Sequence, residues 1–126
     1  MAGITYDAGA LVAGERNERK LWALHRRALE RGLRPTVPAG VLAQVWRGGP
    51  QAELSRLLAG CRVESLDELR GRAAGAACGR AKTSDVINAT VVVGALARDD
   101  LVVTSDPKDI NHLASALGTG IHIHRV

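Results

Sequence analysis

Short apolar runs alternate along the chain with longer segments in which apolar residues recur at helical spacing. Residues 101–104 are apolar on both faces, which is typical of an inner strand of a parallel sheet. Residues 121–124 alternate between Ile and His, which is typical of an edge strand with one solvated face. The apolar runs predict five strands, over residues 3–6, 34–37, 61–65, 101–104 and 121–124.

The segments between these strands have the pattern of amphipathic helices. The longest, residues 8–31, is interrupted near Gly14 and places Leu24, Ala28 and Leu29 on one apolar face. Helices are also predicted over residues 38–46, 51–58, 67–80 and 85–98, and from residues 105–107 onward.

This alternation of strands and helices defines the fold class as α/β. Right-handed crossovers between parallel strands place helices on both faces of the sheet. We therefore expect residues 1–126 to form a single domain, an α/β/α sandwich with a small parallel sheet. Strands 3–6 and 101–104 are expected to be neighbours inside that sheet, and Thr83 or Ser84 to cap the helix that begins near Asp85.

Composition narrows the class of partner without defining it. With 46% hydrophobic and 24% charged residues, the 126-residue chain is typical of a globular domain. The net charge of +4 is compatible with a polyanion partner. Tyr6, Trp22 and Trp46 are the only aromatic residues of the Phe, Tyr and Trp types, which argues against a module that stacks bases on an aromatic sheet.

The cysteines and the N-terminal segment indicate an intracellular protein. Cys61 and Cys78 lack the spacing of a zinc site, so reduced thiols are expected. The N-terminus has no basic segment ahead of an apolar run, and no apolar stretch reaches the ~20 residues that span a bilayer. We expect a soluble cytoplasmic domain without a membrane partner.

Acidic residues lie where the predicted strands end. Asp7 directly follows the first strand, Asp106 lies just past the fourth, and Asp85 begins the helix that leads into the fourth. Ligands of parallel sheets bind at the carboxyl ends of the strands, and carboxylate oxygens suit Mg²⁺ or Mn²⁺. Such a metal can activate water and stabilise charge on a phosphate under attack.

Each acid also has a purely structural interpretation. Asp106, followed by Pro107 and Asp109, has the pattern of a helix N-cap, and Asp85 that of an acid in the first helical turn. Asp7 is harder to explain in this way, because a carboxylate at a buried strand end costs free energy unless it has a partner. Convergence of the three acids is what would indicate a metal site.

Four segments in order resemble PIN-domain proteins, with the closest likeness to VapC-type toxins of bacterial toxin–antitoxin pairs. They are TYDAGALVA, VPAGVLAQVWRGG, TSDVINATVV and VVTSDPKDI, and together they extend over nearly the whole chain. The resemblance implies a metal-dependent ribonuclease of a type II system, with Mg²⁺ or Mn²⁺ as cofactor. It also implies a homodimer that a cognate antitoxin protein holds inactive. In this likeness Asp7, Asp85 and Asp106 match three acids of the family.

Two positions depart from the family pattern. PIN toxins typically carry Glu where this chain has Gln44, and close relatives often carry Asp where it has Asn88. Each amide removes a negative charge, so the affinity for a metal is expected to fall. Gln44 can orient a metal-bound water through its carbonyl oxygen, but it cannot act as a general base. The alternative function is therefore a weakened or inert PIN domain that binds RNA or an antitoxin.

Five further residues are candidates for supporting roles. Thr104 and Ser105 precede Asp106 and can hold a metal-bound water or a phosphate, and Asp109 can reach the same helix end from three residues further on. Arg47 and Lys82 are candidate RNA contacts, although a surface salt bridge explains an arginine such as Arg47 equally well.

Other acidic α/β enzymes fit the sequence less well. Phosphatases related to haloacid dehalogenases place two acids two residues apart after the first strand, whereas here Asp7 is followed by Ala8 and Gly9. A receiver domain needs an Asp directly after its third strand, and Glu64 and Asp67 are out of register for that role.

Overall fold

A computed structural model describes residues 3–126 and contains a five-stranded, all-parallel sheet. Each predicted strand is confirmed, β4 with the predicted bounds and the others with ends that differ by at most two residues. The strands are β1 (Ile4–Tyr6), β2 (Thr36–Pro38), β3 (Arg62–Glu64), β4 (Leu101–Thr104) and β5 (His122–Arg125).

The order of the strands in the sheet is β3-β2-β1-β4-β5. Thr5 at the centre of β1 is in register with Thr36 on one side and Val102 on the other. The expectation that β1 and β4 are neighbouring inner strands is therefore confirmed. β5 is an edge strand, as its alternation of Ile and His predicts, and β3 forms the other edge.

Helices cover both faces of this sheet. All three residues of β1 are buried although successive side chains point to opposite faces, so neither face is open to solvent there. The architecture is the expected α/β/α arrangement. The helices are α1 (Ala8–Glu15), α2 (Arg19–Glu30), α3 (Ala39–Val45), α4 (Ala52–Ala59), α5 (Glu68–Ala81), α6 (Val86–Arg98) and α7 (Pro107–Ala116).

The first helical segment is two helices, and its predicted apolar face is wrong at one position. Asn17 adopts a left-handed backbone conformation, with φ of 59°, between α1 and α2. In α2, Leu24, His25 and Ala28 are buried, whereas Leu29 is 41% exposed. The buried stripe includes His25 because its Nδ1 forms a 2.9 Å hydrogen bond with the hydroxyl of the buried Tyr6.

None of the helices in the described residues 3–126 is long and apolar enough to cross a membrane.

Candidate active site

Asp7 and Asp106 lie at the carboxyl edge of the sheet, just past the ends of the neighbouring strands β1 and β4. Asp7 follows β1 directly, and its backbone N–H extends the ladder by donating to Val103 of β4 at 3.2 Å. Its carboxylate caps α1 by accepting the N–H of Ala10 at 3.0 Å. Asp106 is the N-cap residue of α7, as its pattern with Pro107 predicts, but its side chain forms no capping hydrogen bond.

Asp7 is an acid in an apolar setting, with only 3% of its surface exposed. Burial raises the pKa of this carboxyl above its usual range, and the negative charge of Asp106 raises it further. Hydrogen bonds from the Thr104 hydroxyl and from the N–H groups of Ala10 and Gly9 oppose this rise without cancelling it. Thr104 also accepts the N–H of Asp106 at 2.8 Å, so this side chain joins the two acids.

Asp109 extends the group of acids along α7 toward α6. In its protonated form the Asp109 carboxyl shares a hydrogen bond with Asp106, which raises the pKa of Asp109. The charges of Asp106 and, more weakly, Asp85 raise that pKa further. Electrostatic interactions thus connect a row of four acids, which we call the acidic row: Asp7, Asp106, Asp109 and Asp85.

Asp85 caps α6, so the prediction that Thr83 or Ser84 would cap this helix is wrong. The Asp85 carboxylate accepts the backbone N–H of Asn88 at 3.1 Å. It also accepts the Asn88 side-chain amide at 2.7 Å. The Thr83 hydroxyl accepts the N–H of Asp85 at 3.2 Å instead of capping the helix. A carboxylate at the residue before the first turn is a strong cap, and Asp85 occupies that position.

Replacing Asn88 with Asp should increase the extent to which Mn²⁺ stabilises the protein against unfolding. Two carboxylates would then meet where an amide now donates to Asp85, and the metal-free protein should lose about 1 kcal/mol of unfolding free energy. Mn²⁺ should recover this loss by neutralising the pair. Thermal unfolding with and without Mn²⁺ measures both effects, with Asn111→Asp on the exposed face of α7 as control. An equal Mn²⁺ response in the two variants would contradict the prediction.

Gln44 lies on α3, the helix that follows β2 at the same edge of the sheet. α3 packs against the first turn of α6, because a Cβ atom at Gly40 would come within 2.6 Å of the Ile87 side chain. Gln44 follows Gly40 by one helical turn and is exposed. Within residues 3–126 its amide forms no hydrogen bond with the acidic row. The structure thus brings its helix to the site, and direct participation of Gln44 stays a prediction.

The candidate RNA contacts Arg47 and Lys82 lie at the ends of helices, and Ser105 lies next to Asp106. The Arg47 guanidinium donates to the carbonyl oxygens of Gln44 at 2.6 Å and Trp46 at 2.9 Å, so it satisfies the end of α3. Lys82 is exposed and ends α5 in a left-handed conformation. Ser105 packs on Gly9, where a Cβ atom would come within 2.9 Å of the Ser105 backbone nitrogen. Roles of these residues in binding RNA stay predictions.

His112 borders the site and was not among the residues that the sequence indicated. It lines a small cavity of about 70 Å³ with Asp85, Asp109 and Thr83. Its Nε2 is 2.8 Å from the carbonyl oxygen of Ala81 at the end of α5. The spacing of three residues from Asp109 on α7 is a signal that could have identified it.

The chemistry of the acidic row suits a hard divalent cation, although the row is not a closed ligand shell. In the described part of the chain, no three side chains of the His, Cys, Asp or Glu types are arranged to hold one metal ion. The row nevertheless consists of oxygen donors alone. Burial raises the pKa of Asp7, and a hydrogen bond with Asp106 together with its negative charge raises the pKa of Asp109. A nearby cation would relieve the repulsion between these acids, and Mg²⁺ and Mn²⁺ need few protein ligands.

Replacing Asp7 with Asn should stabilise the fold near neutral pH. The native carboxyl holds its proton more tightly than the unfolded one, so Asp7 favours the native state at low pH. That contribution is lost as the pH rises from the unfolded value of 3.8 through the native pKa. Asn is as good a cap and carries no charge, so we expect a gain of about 1 kcal/mol at pH 7.

Urea unfolding at pH 7 and at pH 3.5 tests this prediction, since the advantage of Asp7→Asn should shrink at the lower pH. Asp67→Asn, which changes the exposed cap of α5, is the matched control and should show little gain. A loss of stability in Asp7→Asn at pH 7 would contradict the desolvation argument.

Comparison with known proteins shows the fold. No model of a protein family matches the chain, and no curated protein does. Among solved structures, the chain is similar to the crystal structure of VapBC2 from Rickettsia felis bound to a DNA fragment from their promoter. The identity is 11%, the likeness covers 98% of each chain, and the TM-score is 0.68. The chain therefore has the VapC-type PIN fold that its sequence motifs resemble.

Proposed function

We propose that the chain is a Mg²⁺- or Mn²⁺-dependent endoribonuclease of PIN type that serves as the toxin of a type II toxin–antitoxin system. The observation that carries this proposal is the proximity of Asp7 and Asp106, which lie just past the ends of neighbouring parallel strands and are joined by Thr104. The VapC-type fold supports it, because the acids lie at the edge of the sheet where ligands of such folds bind.

In this proposal Asp7, Asp85 and Asp106 are the metal ligands. The metal, when bound, would activate water and stabilise negative charge on the phosphodiester.

The residues around the three proposed ligands support this role. The buried position of Asp7 limits the water around its carboxylate, and Thr104 orients that carboxylate relative to Asp106. Asn88 holds Asp85 and Asp109 holds Asp106, while Gln44 orients the attacking water through its carbonyl oxygen. Arg47, Lys82 and Ser105 are proposed to bind phosphates of the RNA.

A second candidate is a weakened or inert PIN domain that acts by binding RNA or an antitoxin. The hydrogen bond between the Asn88 amide and Asp85 favours it, since this amide occupies a carboxylate oxygen that a metal would need. The neutral Gln44 favours it as well, because it removes a candidate general base.

The proposed partners are RNA, a cognate antitoxin protein and a second copy of this chain. Trp46 supports a protein partner, because this large side chain is 42% exposed just after α3. The structural neighbour is a VapBC2 structure, and this likeness is the reason to propose an antitoxin here. We place the action of the protein in the cytoplasm, where its RNA substrate would be.

Cleavage of a panel of structured RNAs by the purified protein tests the proposal. We expect slow cleavage that requires Mn²⁺ or Mg²⁺, is faster with Mn²⁺, and stops when EDTA is added. Asp106→Asn should lack this activity. Asp67→Asn removes the same charge from the exposed N-terminus of α5 and should keep the activity. Cleavage that persists in EDTA would contradict the metal-dependent function. RNA binding without cleavage, by this protein and by Gln44→Glu alike, would favour the second candidate.

A further inference from the structure

A basic cavity lies at the amino edge of the sheet, opposite the acidic row. Its volume is about 390 Å³, and its walls come from the residues at or just before the first positions of β1, β2, β3 and β4. Three arginines line it: Arg34, Arg62 and Arg98. A single acid, Asp100, faces the same space among the described lining residues.

Arg34 and Arg62 are held in place by neutral groups. Arg34 Nη2 donates to the carbonyl oxygen of Cys61 at 2.7 Å, and Arg62 Nη2 donates to the hydroxyl of the buried Thr36 at 2.8 Å. Neither guanidinium has an ion pair with a carboxylate in the part of the chain that the structure describes. Both arginines therefore keep their full charge and several N–H donors for a ligand.

The third arginine is neutralised, and so is the acid of the cavity. Arg98 Nε donates to the buried Asp100 carboxylate at 2.9 Å, and its Nη1 pairs with Glu64. Asp100 also accepts the hydroxyl of Thr5 at 2.8 Å. Because these charges compensate one another, the uncompensated charge of the cavity comes from Arg34 and Arg62. Guanidinium groups that line one cavity and keep free N–H donors can bind phosphate oxygens in a forked geometry.

We propose that this cavity binds a small molecule that carries a phosphate or diphosphate group, with Arg34 and Arg62 as its ligands. RNA on the acidic row is a less suitable source of that phosphate. The segment from Gly3 to Asp7, which contains β1, separates the two edges of the sheet by about 13 Å at ~3.3 Å per residue. Because β1 is buried along its whole length, a strand of RNA at one edge cannot pass along β1 to the other edge. The inference is independent of the proposed nuclease function.

Calorimetric titration of the purified protein with inorganic pyrophosphate tests this inference, without any need for catalytic activity. We expect saturable binding by the wild type, and a loss of at least tenfold in affinity in the double variant Arg34→Gln/Arg62→Gln. The control, Arg72→Gln/Arg80→Gln, removes the same charge from the exposed face of α5 and should keep the affinity within about twofold. Arg34→Lys/Arg62→Lys keeps the charge without the fork and should bind with intermediate affinity.

Three results would overturn the inference. One is the absence of pyrophosphate binding by the wild type. Another is equal weakening in the Arg34/Arg62 and Arg72/Arg80 variants, because binding would then depend on net charge alone. The third concerns RNA: a 12-nucleotide single strand should bind equally to the wild type and to Arg34→Gln/Arg62→Gln. If the variant lost as much affinity for RNA as for pyrophosphate, the cavity would be part of the RNA-binding surface.

Circular dichroism melting of each variant without ligand identifies any that fails to fold. If Arg34→Gln/Arg62→Gln fails to fold, Arg34→Lys/Arg62→Lys provides the test.

Discussion

Replacing Gln44 with Glu should raise the affinity of the protein for Mn²⁺ by roughly one to three powers of ten. The substitution restores one negative charge with little change in shape. Attraction between unit charges at about 4 Å is worth about 4 kcal/mol at an effective dielectric constant near 20, and a divalent ion doubles it. Desolvation and waters retained by the ion remove much of that gain. RNA cleavage should rise in parallel, whereas RNA affinity should change far less, because the basic contacts are unaltered.

Ala43→Glu is the matched control for this prediction. It places the same charge on the adjacent exposed position of α3, about 100° around the helix from Gln44. Mn²⁺ titration and RNA cleavage by Gln44→Glu, Ala43→Glu and the wild type separate a specific effect from a general one. Equal Mn²⁺ affinity in all three proteins would show that position 44 is not part of the site.

Replacing Asp106 with Asn should abolish the metal response, with a loss of at least a hundredfold in Mn²⁺ affinity. Asp106 is central in the acidic row, because it interacts with Asp7 on one side and Asp109 on the other. Its removal therefore takes one ligand from the ion and separates the remaining acids. When it is combined with Gln44→Glu, the same substitution should eliminate the increase in RNA cleavage that Gln44→Glu alone produces.

Two other variants provide a comparison for the loss of Mn²⁺ affinity in Asp106→Asn. Asp109→Asn removes an acid of the row that is not a proposed metal ligand, so it should cost less Mn²⁺ affinity than Asp106→Asn. Asp67→Asn removes an acid from the exposed N-terminus of α5 and should leave the affinity unchanged. If all three variants lost the same small amount, the row would act only as a diffuse negative surface.

The sheet could be predicted from the sequence because hydrophobic patterning reports burial directly. Runs such as residues 101–104 can be buried on both faces only as inner strands, and β1 and β4 are neighbours as expected. The apolar face of α2 was harder to predict. Periodicity favours Leu29, but His25 is buried because Tyr6, distant in sequence, supplies its hydrogen bond. Such a partner is visible only once the chain has folded.

The acids of the site could be located from topology, but their interactions could not. Neighbouring parallel strands bring Asp7 and Asp106 to one edge, which strand order alone predicts. The link through Thr104 and the contact of Asn88 with Asp85 depend on side-chain directions that no spacing rule gives. Arg47 turns back on the end of its own helix because unpaired carbonyl oxygens there attract its guanidinium.

The most direct measurement of the proposed metal site is anomalous diffraction from a crystal of the protein soaked in Mn²⁺. The proposed metal site predicts a manganese peak bound by the carboxylates of Asp7 and Asp106, with Asp85 as a further ligand and Gln44 facing a metal-bound water. A stronger peak at the same position is expected in Gln44→Glu. A peak elsewhere in the protein, or none at the carboxyl edge of β1 and β4 at saturating Mn²⁺, would contradict it.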